Sequence, residues 1–123
     1  MSDLIKRLGV SLEDMGGAVD LLCPRCGADN LHHGTVMVFD RKEDSASTVR
    51  SLVTGSSVTV GIVDSNHAGN PSSRRDGIVI DFECEQCGGG TDENRIELTI
   101  AQHKGSTEIG WRFTPTLPKQ GSI

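Results

Sequence analysis

The sequence has no tyrosine, and its only aromatic residues are Phe39, Phe82, Trp111 and Phe113. Hydrophobic residues make up 35% of the 123 positions, compared with roughly 45–50% in ordinary globular domains. A chain with so little apolar side-chain volume cannot build a large core. We therefore expect one small domain whose stability depends in part on a bound metal.

Long hydrophobic runs are also missing. No stretch approaches the ~18–20 apolar residues that a membrane-spanning helix needs. The segment Met1–Arg7 leads into polar residues and lacks the apolar centre of a secretory signal peptide. We therefore expect a soluble, cytoplasmic protein, in a compartment where cysteine thiols stay reduced.

Positive charge is scarce. The chain has 12 Lys and Arg residues against 17 Asp and Glu residues, which gives a formal net charge of −5. This charge opposes long-range attraction to nucleic acid, so we expect a protein partner. The alternative is a nucleic-acid-binding surface that uses Arg74, Arg75 and Lys104 to contact phosphates.

The cysteines carry the strongest chemical signal in the chain. All four fall in two C-x-x-C-G motifs, Cys23–Gly27 and Cys84–Gly88. This spacing allows two thiolates of one tight turn to bind the same metal ion, and the glycine supplies the positive φ that closes the turn. The motifs therefore predict a tetrahedral zinc site. Its predicted ligands are Cys23, Cys26, Cys84 and Cys87.

Three other interpretations use the same cysteines. Two disulfides suit a secreted protein, which the N-terminal sequence does not indicate. A thioredoxin-type motif opens a helix after a strand, whereas both motifs here are followed by glycine. An iron–sulfur cluster also takes four thiolates, but paired motifs of this form are the usual structural holder of zinc. Because four thiolates leave zinc no open position for water, we expect no enzymatic activity.

Period-two alternation predicts three antiparallel strands in the C-terminal half of the chain. Apolar residues alternate with polar ones over residues 78–83, 95–100 and 108–113, and Lys104-Gly105 forms a turn. One face of this sheet is expected to be the core, and the other is expected to be charged and exposed. The predicted core positions are Ile80, Phe82, Leu98, Ile100 and Trp111, and the predicted exposed positions are Asp81, Glu83, Glu97 and Arg112.

The chain outside these strands is predicted to be less regular. Residues 1–20 carry Leu4, Leu8, Leu12 and Met15 at helical spacing, which predicts a short N-terminal helical segment that packs on the domain. Residues 41–75 are rich in serine, threonine, glycine and asparagine, which predicts a long inserted loop with one strand at Ser57–Val63. The domain proper is expected to cover residues 21–113, and residues 114–123 to form a flexible tail.

Residues 21–27 and 76–113 together resemble a zinc ribbon, with a knuckle, a β-hairpin, a second knuckle and a small antiparallel sheet. The resemblance covers about half the chain and implies a mainly β fold. The segments Leu31–Gly34, Asn70–Gly77 and Gln102–Gly105 also resemble small uncharacterised proteins of bacteriophages and related mobile elements. We therefore expect a zinc-stabilised phage or bacterial protein that binds and modulates, or inhibits, a host protein complex.

Overall fold

The computed structural model of the protein describes residues 20–87 and 96–113. Six antiparallel strands form one sheet in the order β3-β2-β1-β4-β5-β6. The mainly β character expected from the sequence is therefore confirmed. The strands are β1 (Leu31–Asp40), β2 (Ser47–Thr54), β3 (Ser57–Asp64), β4 (Gly77–Cys84), β5 (Ile96–His103) and β6 (Ser106–Arg112).

Helical structure in the described ranges consists of two short 3-10 helices, Ser65–His67 and Glu85–Cys87. Neither helix has the length or the hydropathy required to cross a bilayer. The predicted N-terminal helical segment lies outside the described residues except for Asp20. The predicted C-terminal tail, residues 114–123, also lies outside them.

Residues 41–75 contribute two strands to the sheet, so the expectation of a long loop with one strand is incomplete. β2 pairs with β1 on one side and with β3 along its whole length on the other. The core-facing positions of β2 include the polar residues Thr48 and Arg50. The sequence therefore lacks an apolar alternation that would predict this strand. Thr48 is buried with its hydroxyl 2.7 Å from that of Ser65, and the Arg50 guanidinium donates to the Ala68 carbonyl at 3.2 Å.

The main hydrophobic core lies on one face of the sheet, which we call the core face. The segment of residues 65–76 crosses this face and is held at both sides of it. Arg50 on β2 and Arg112 on β6 donate to the carbonyl groups of Ala68 and Gly69, at 3.2 and 3.0 Å. The buried core residues are Met37, Phe39, Ala68 and Val79, against which Leu52 and Val63 pack.

The predicted core positions in β4, β5 and β6 lie on the opposite face. They do share one face, because Leu98 pairs with Ile80 on one side and with Trp111 on the other. The expected core on that face is confirmed in part: Leu98 is buried and Phe82 and Trp111 pack against buried Ile96, whereas Ile80 and Ile100 are only half-buried. The face expected to be exposed contains Glu97, which is buried. The cause is the segment of residues 65–76, which covers the core face.

The second face of the sheet, which we call the open face, is exposed mainly on β1, β2 and β3, whereas Ile96 and Leu98 on β5 are buried on the same face. The strand registers place seven exposed large hydrophobic residues on it. They are Val38 on β1, Val49 and Val53 on β2, Val58, Val60 and Ile62 on β3, and Ile109 on β6. Because a sheet normally buries its apolar face against another layer, this exposure is a feature that needs a physical explanation.

Candidate metal centre

The two cysteine motifs meet at one end of the sheet. The first motif precedes β1, and the second begins at Cys84, the last residue of β4. β1 and β4 are neighbours, and their register places Leu31 opposite Cys84. The Glu85 amide also donates to the Asn30 carbonyl at 3.1 Å. Backbone pairing therefore brings together two motifs that are far apart in the sequence.

The first motif forms a closed turn around Cys23. The Gly27 amide donates to the Cys23 carbonyl, and the Cys23 amide donates to the Ala28 carbonyl, both at 2.8 Å. Gly27 has a φ of 80°, a left-handed conformation that side chains rarely adopt. The Arg25 amide points at the Cys23 sulfur at 3.4 Å. This N–H group stabilises negative charge on the sulfur, as a metal-binding thiolate requires.

The four sulfur atoms have the spacing of a tetrahedral thiolate site. All four lie within 4.8 Å of one another. The Sγ atoms of Cys23 and Cys87 are 3.8 Å apart, and those of Cys26 and Cys84 are 3.6 Å apart. A tetrahedron with metal–sulfur bonds of about 2.3 Å has edges of about 3.8 Å. The cysteines are free thiols, and their arrangement fits one metal ion bound by four sulfurs.

The proton affinities of the thiols also favour a bound cation. Hydrogen bonding to Cys26 and then to Cys84 raises the pKa of Cys87 to about 12, and burial raises the pKa of Cys84. Burial opposes ionisation of Cys23 too, but the amide groups of Cys26 and Arg25 outweigh it and lower the pKa of Cys23 to about 7. Four thiolates can coexist here only if a positive ion neutralises them.

Metal binding is therefore expected to release protons. The raised pKa values of Cys84 and Cys87 mean that both thiols are protonated near pH 7 and must lose their protons to bind metal. We expect the release of roughly two or more protons for each metal ion bound. The affinity for the metal should fall as the pH is lowered. Calorimetric titration in buffers of different ionisation enthalpy measures this number. A proton release close to zero would contradict the proposed ligand state.

The metal centre is continuous with a second, smaller core. Cys23, Cys84 and Ile96 are buried together, and partly buried hydrophobic side chains pack against them. Among these, the rings of Phe82 and Trp111 meet edge to face, with centroids 6.0 Å apart and an interplanar angle of 65°. The remaining members of the cluster are Leu31 and Cys87. A metal at this site would therefore hold the knuckles against the sheet in place of a larger hydrophobic core.

The basic residues predicted as a nucleic-acid surface lie at the opposite end of the sheet. Arg74 bonds to both Glu43 and Asp44 at 2.8 Å, and Arg75 bonds to Glu43 at 2.9 Å. Bonding to the Arg74 guanidinium lowers the pKa of Asp44. Lys104 occupies the turn between β5 and β6, with a positive φ of 51°. The sequence did not predict that both arginines are paired, although two consecutive acidic residues, Glu43 and Asp44, lie in the same segment of residues 41–75.

Residues 76–97 carry seven acidic side chains, which predict an acidic strip suited to a basic protein partner: Asp76, Asp81, Glu83, Glu85, Asp92, Glu93 and Glu97. The fold exposes only some of them. Glu97 is 3% exposed, and its carboxylate accepts a bond from the Arg112 guanidinium at 3.1 Å. It is therefore part of the interior and not of a binding surface. Glu85 is exposed and lies 2.6 Å from the His32 ring. The exposed members of the strip are Asp76, Glu83 and Glu85, whereas Asp92 and Glu93 lie outside the described residues.

Comparisons of the chain with protein-family models, with curated proteins and with solved structures give no match. The class of protein is therefore defined by its own fold and site. Over the described residues it is a mainly β protein, whose strands form one six-stranded antiparallel sheet. A candidate four-cysteine metal centre lies at one end of that sheet.

Proposed function

We propose that the protein is a zinc-stabilised binding module of the zinc-ribbon type, without enzymatic activity, and that it is a phage or bacterial protein which binds and modulates a host protein complex. The four-sulfur cluster is the observation that carries the proposal. A turn closed by Gly27 supplies two of the ligands, and the end of β4 with the 3-10 helix that follows it supplies the other two, an arrangement that suits a structural zinc site. Iron accepts the same ligands, so the metal content of the purified protein tests the choice of zinc.

A structural role for zinc is favoured over a catalytic one. The four sulfurs complete a tetrahedral shell, whereas catalytic zinc keeps one position for water or substrate. Cys23 and Cys84 are buried against Ile96, so half of the ligand set faces the protein interior. The metal would therefore stabilise the fold and leave recognition to the surface.

A protein partner is favoured over nucleic acid by the state of the basic residues. The charges of Arg74 and Arg75 are already paired with Glu43 and Asp44, so their electrostatic attraction for phosphate is reduced. The net charge of −5 also opposes binding to a polyanion. Exposed carboxylates at the metal end, Glu83 and the His32-bonded Glu85, suit a basic protein surface. We propose that this end contacts the partner and modulates or inhibits its complex.

The proposed partner class is tested by affinity capture with the metal-loaded protein as bait. We expect a host protein that is retained by the wild type and lost when Glu83→Gln and Glu85→Gln remove the two charges. The matched control is Glu108→Gln, which removes an exposed charge from β6. A partner that binds both variants equally would contradict the proposed surface.

The nucleic-acid alternative is tested on heparin and on random-sequence DNA at low salt. The proposed function predicts that the protein flows through both columns. Retention that falls steeply with added salt, and that is lost in an Arg74→Gln, Arg75→Gln, Lys104→Gln variant, would instead establish a nucleic-acid-binding surface.

A further inference from the structure

The outer edge of β3 carries the most exposed large hydrophobic side chains of the described residues. Val58, Val60 and Ile62 are 69%, 62% and 76% exposed. β3 is the last strand on its side of the described sheet, so it has a strand neighbour there on one side only. A strand in this position presents a row of N–H and C=O groups with which another extended chain can pair. The β3 edge is therefore a template for the addition of a strand.

The hydrogen bonds between β2 and β3 determine which main-chain groups point outward. The Ser65 amide donates to the Ala46 carbonyl at 2.9 Å, directly beyond the paired strands. In an antiparallel pair, hydrogen-bonded residue pairs alternate with non-hydrogen-bonded ones. Because the register of β2 and β3 is continuous, the odd-numbered residues of β3 bond to β2. The N–H and C=O groups of Val58, Val60 and Ile62 therefore point away from β2.

β3 lacks the features that usually protect an edge strand from pairing with another chain. Ser57–Asp64 contains no proline, lysine or arginine, and its one charged residue is the last. Its register with β2 has no bulge, whereas that of β1 with β4 shifts between His33 and Val36. β6, at the other edge of the described sheet, carries Glu108 and Arg112. Charge therefore opposes strand addition at β6 but not at β3.

We propose that the β3 edge pairs in antiparallel orientation with the β3 edge of a second copy of this chain, which joins two six-stranded sheets into one. The strand is complementary to itself. Val60 of each copy lies at the two-fold axis, and Val58 of one copy lies opposite Ile62 of the other. Each of these three residues then donates a main-chain hydrogen bond to the other copy and accepts one from it. The facing pairs are all β-branched and apolar, which stabilises a sheet.

The position of the one charged residue of β3 favours this register. Asp64 of one copy lies opposite the turn residue Ser56 of the other, beyond the last apolar pair, and the two Asp64 carboxylates are at opposite ends of the paired strands. A shift of the register by two residues would place Asp64 opposite Val58. Because both copies use the same edge, the contact closes at two chains. It does not involve the metal end, so it does not depend on the proposed function.

Amide hydrogen exchange of the full-length, metal-loaded chain at increasing concentration tests the contact. The amides of Val58, Val60 and Ile62 point away from β2 and should exchange fast in the monomer, whereas those of Thr59 and Gly61 bond to β2 and should exchange slowly throughout. Sedimentation should show the 13.1 kDa chain doubling its mass at roughly tens to hundreds of micromolar, because one strand pair is a small interface. Where most chains are paired, exchange of the three outward amides should be slowed about tenfold.

Val60→Lys tests the position of the two-fold axis. The variant places two lysines directly opposite one another, so the dissociation constant of the dimer should rise by about 30-fold or more. The matched control is Ile109→Lys, which adds the same charge at a 42% exposed position on β6 and should change the constant by less than about threefold. Metal content and circular dichroism verify that both variants are folded. The exchange experiment uses the wild type, so it decides the question even if Val60→Lys fails to fold.

Four results would overturn the proposal. One is a wild type that stays monomeric up to about millimolar concentration. Another is a dimer in which the outward amides of Val58, Val60 and Ile62 still exchange fast, because its contact then lies elsewhere. Outward amides that are already protected in the monomer would mean that another segment of the same chain covers the edge. A dimer that Val60→Lys leaves unchanged would also exclude the β3 edge.

Discussion

Replacement of Cys84 by serine is expected to unfold the protein and to abolish its binding of zinc. Cys84 is 1% exposed and belongs both to the four-sulfur cluster and to the small core around Ile96. Zinc binding supplies about 10–16 kcal/mol in small zinc domains near neutral pH, which exceeds the total stability of most domains of this size. The measurements are circular dichroism for folding and native mass spectrometry for one zinc ion per chain.

Gln86→Ser is the matched control for this variant. Gln86 lies between Cys84 and Cys87 and is exposed, so its replacement should leave both metal content and melting temperature nearly unchanged. Chelation of the wild type should reproduce the effect of the Cys84 variant without any change in sequence. An unchanged melting temperature after confirmed metal removal would show that the metal has no structural role.

Phe39→Ala is expected to lower the free energy of unfolding by about 3–5 kcal/mol. Phe39 is 1% exposed and is the largest fully buried side chain in the described part of the chain. It packs with Met37, Val79 and Ala68, and Ala68 belongs to the segment that crosses the core face. Its removal leaves a cavity beneath that segment. Urea denaturation of the metal-loaded protein measures the loss.

Val38→Ala is the control, because Val38 is the neighbour of Phe39 on β1 but points to the open face. Because Val38 is 41% exposed, its replacement should cost less than about 1 kcal/mol. Equal effects of the two substitutions would mean that the assignment of the core face is wrong.

The sequence was sufficient for the parts of this protein that depend on local pattern. Two C-x-x-C-G motifs predicted a shared metal site because thiolate spacing within each turn is set by a few bonds. Alternation predicted the strands in the C-terminal half, because side chains in a strand repeat every two residues. The pairings of Leu98 with Ile80 and Trp111 agree with that alternation.

The tertiary structure decided how much of each face of the sheet is covered, because alternation separates two faces without saying which positions another segment covers. The segment of residues 65–76 crosses the side that carries Glu97, and Arg112 pairs with that buried carboxylate. β2 was not predicted for a related reason. Thr48 and Arg50 occupy core-facing positions, and their polar groups form hydrogen bonds with groups distant in sequence. A polar residue can be buried wherever the fold supplies a partner, and that partner is known only once the chain has folded.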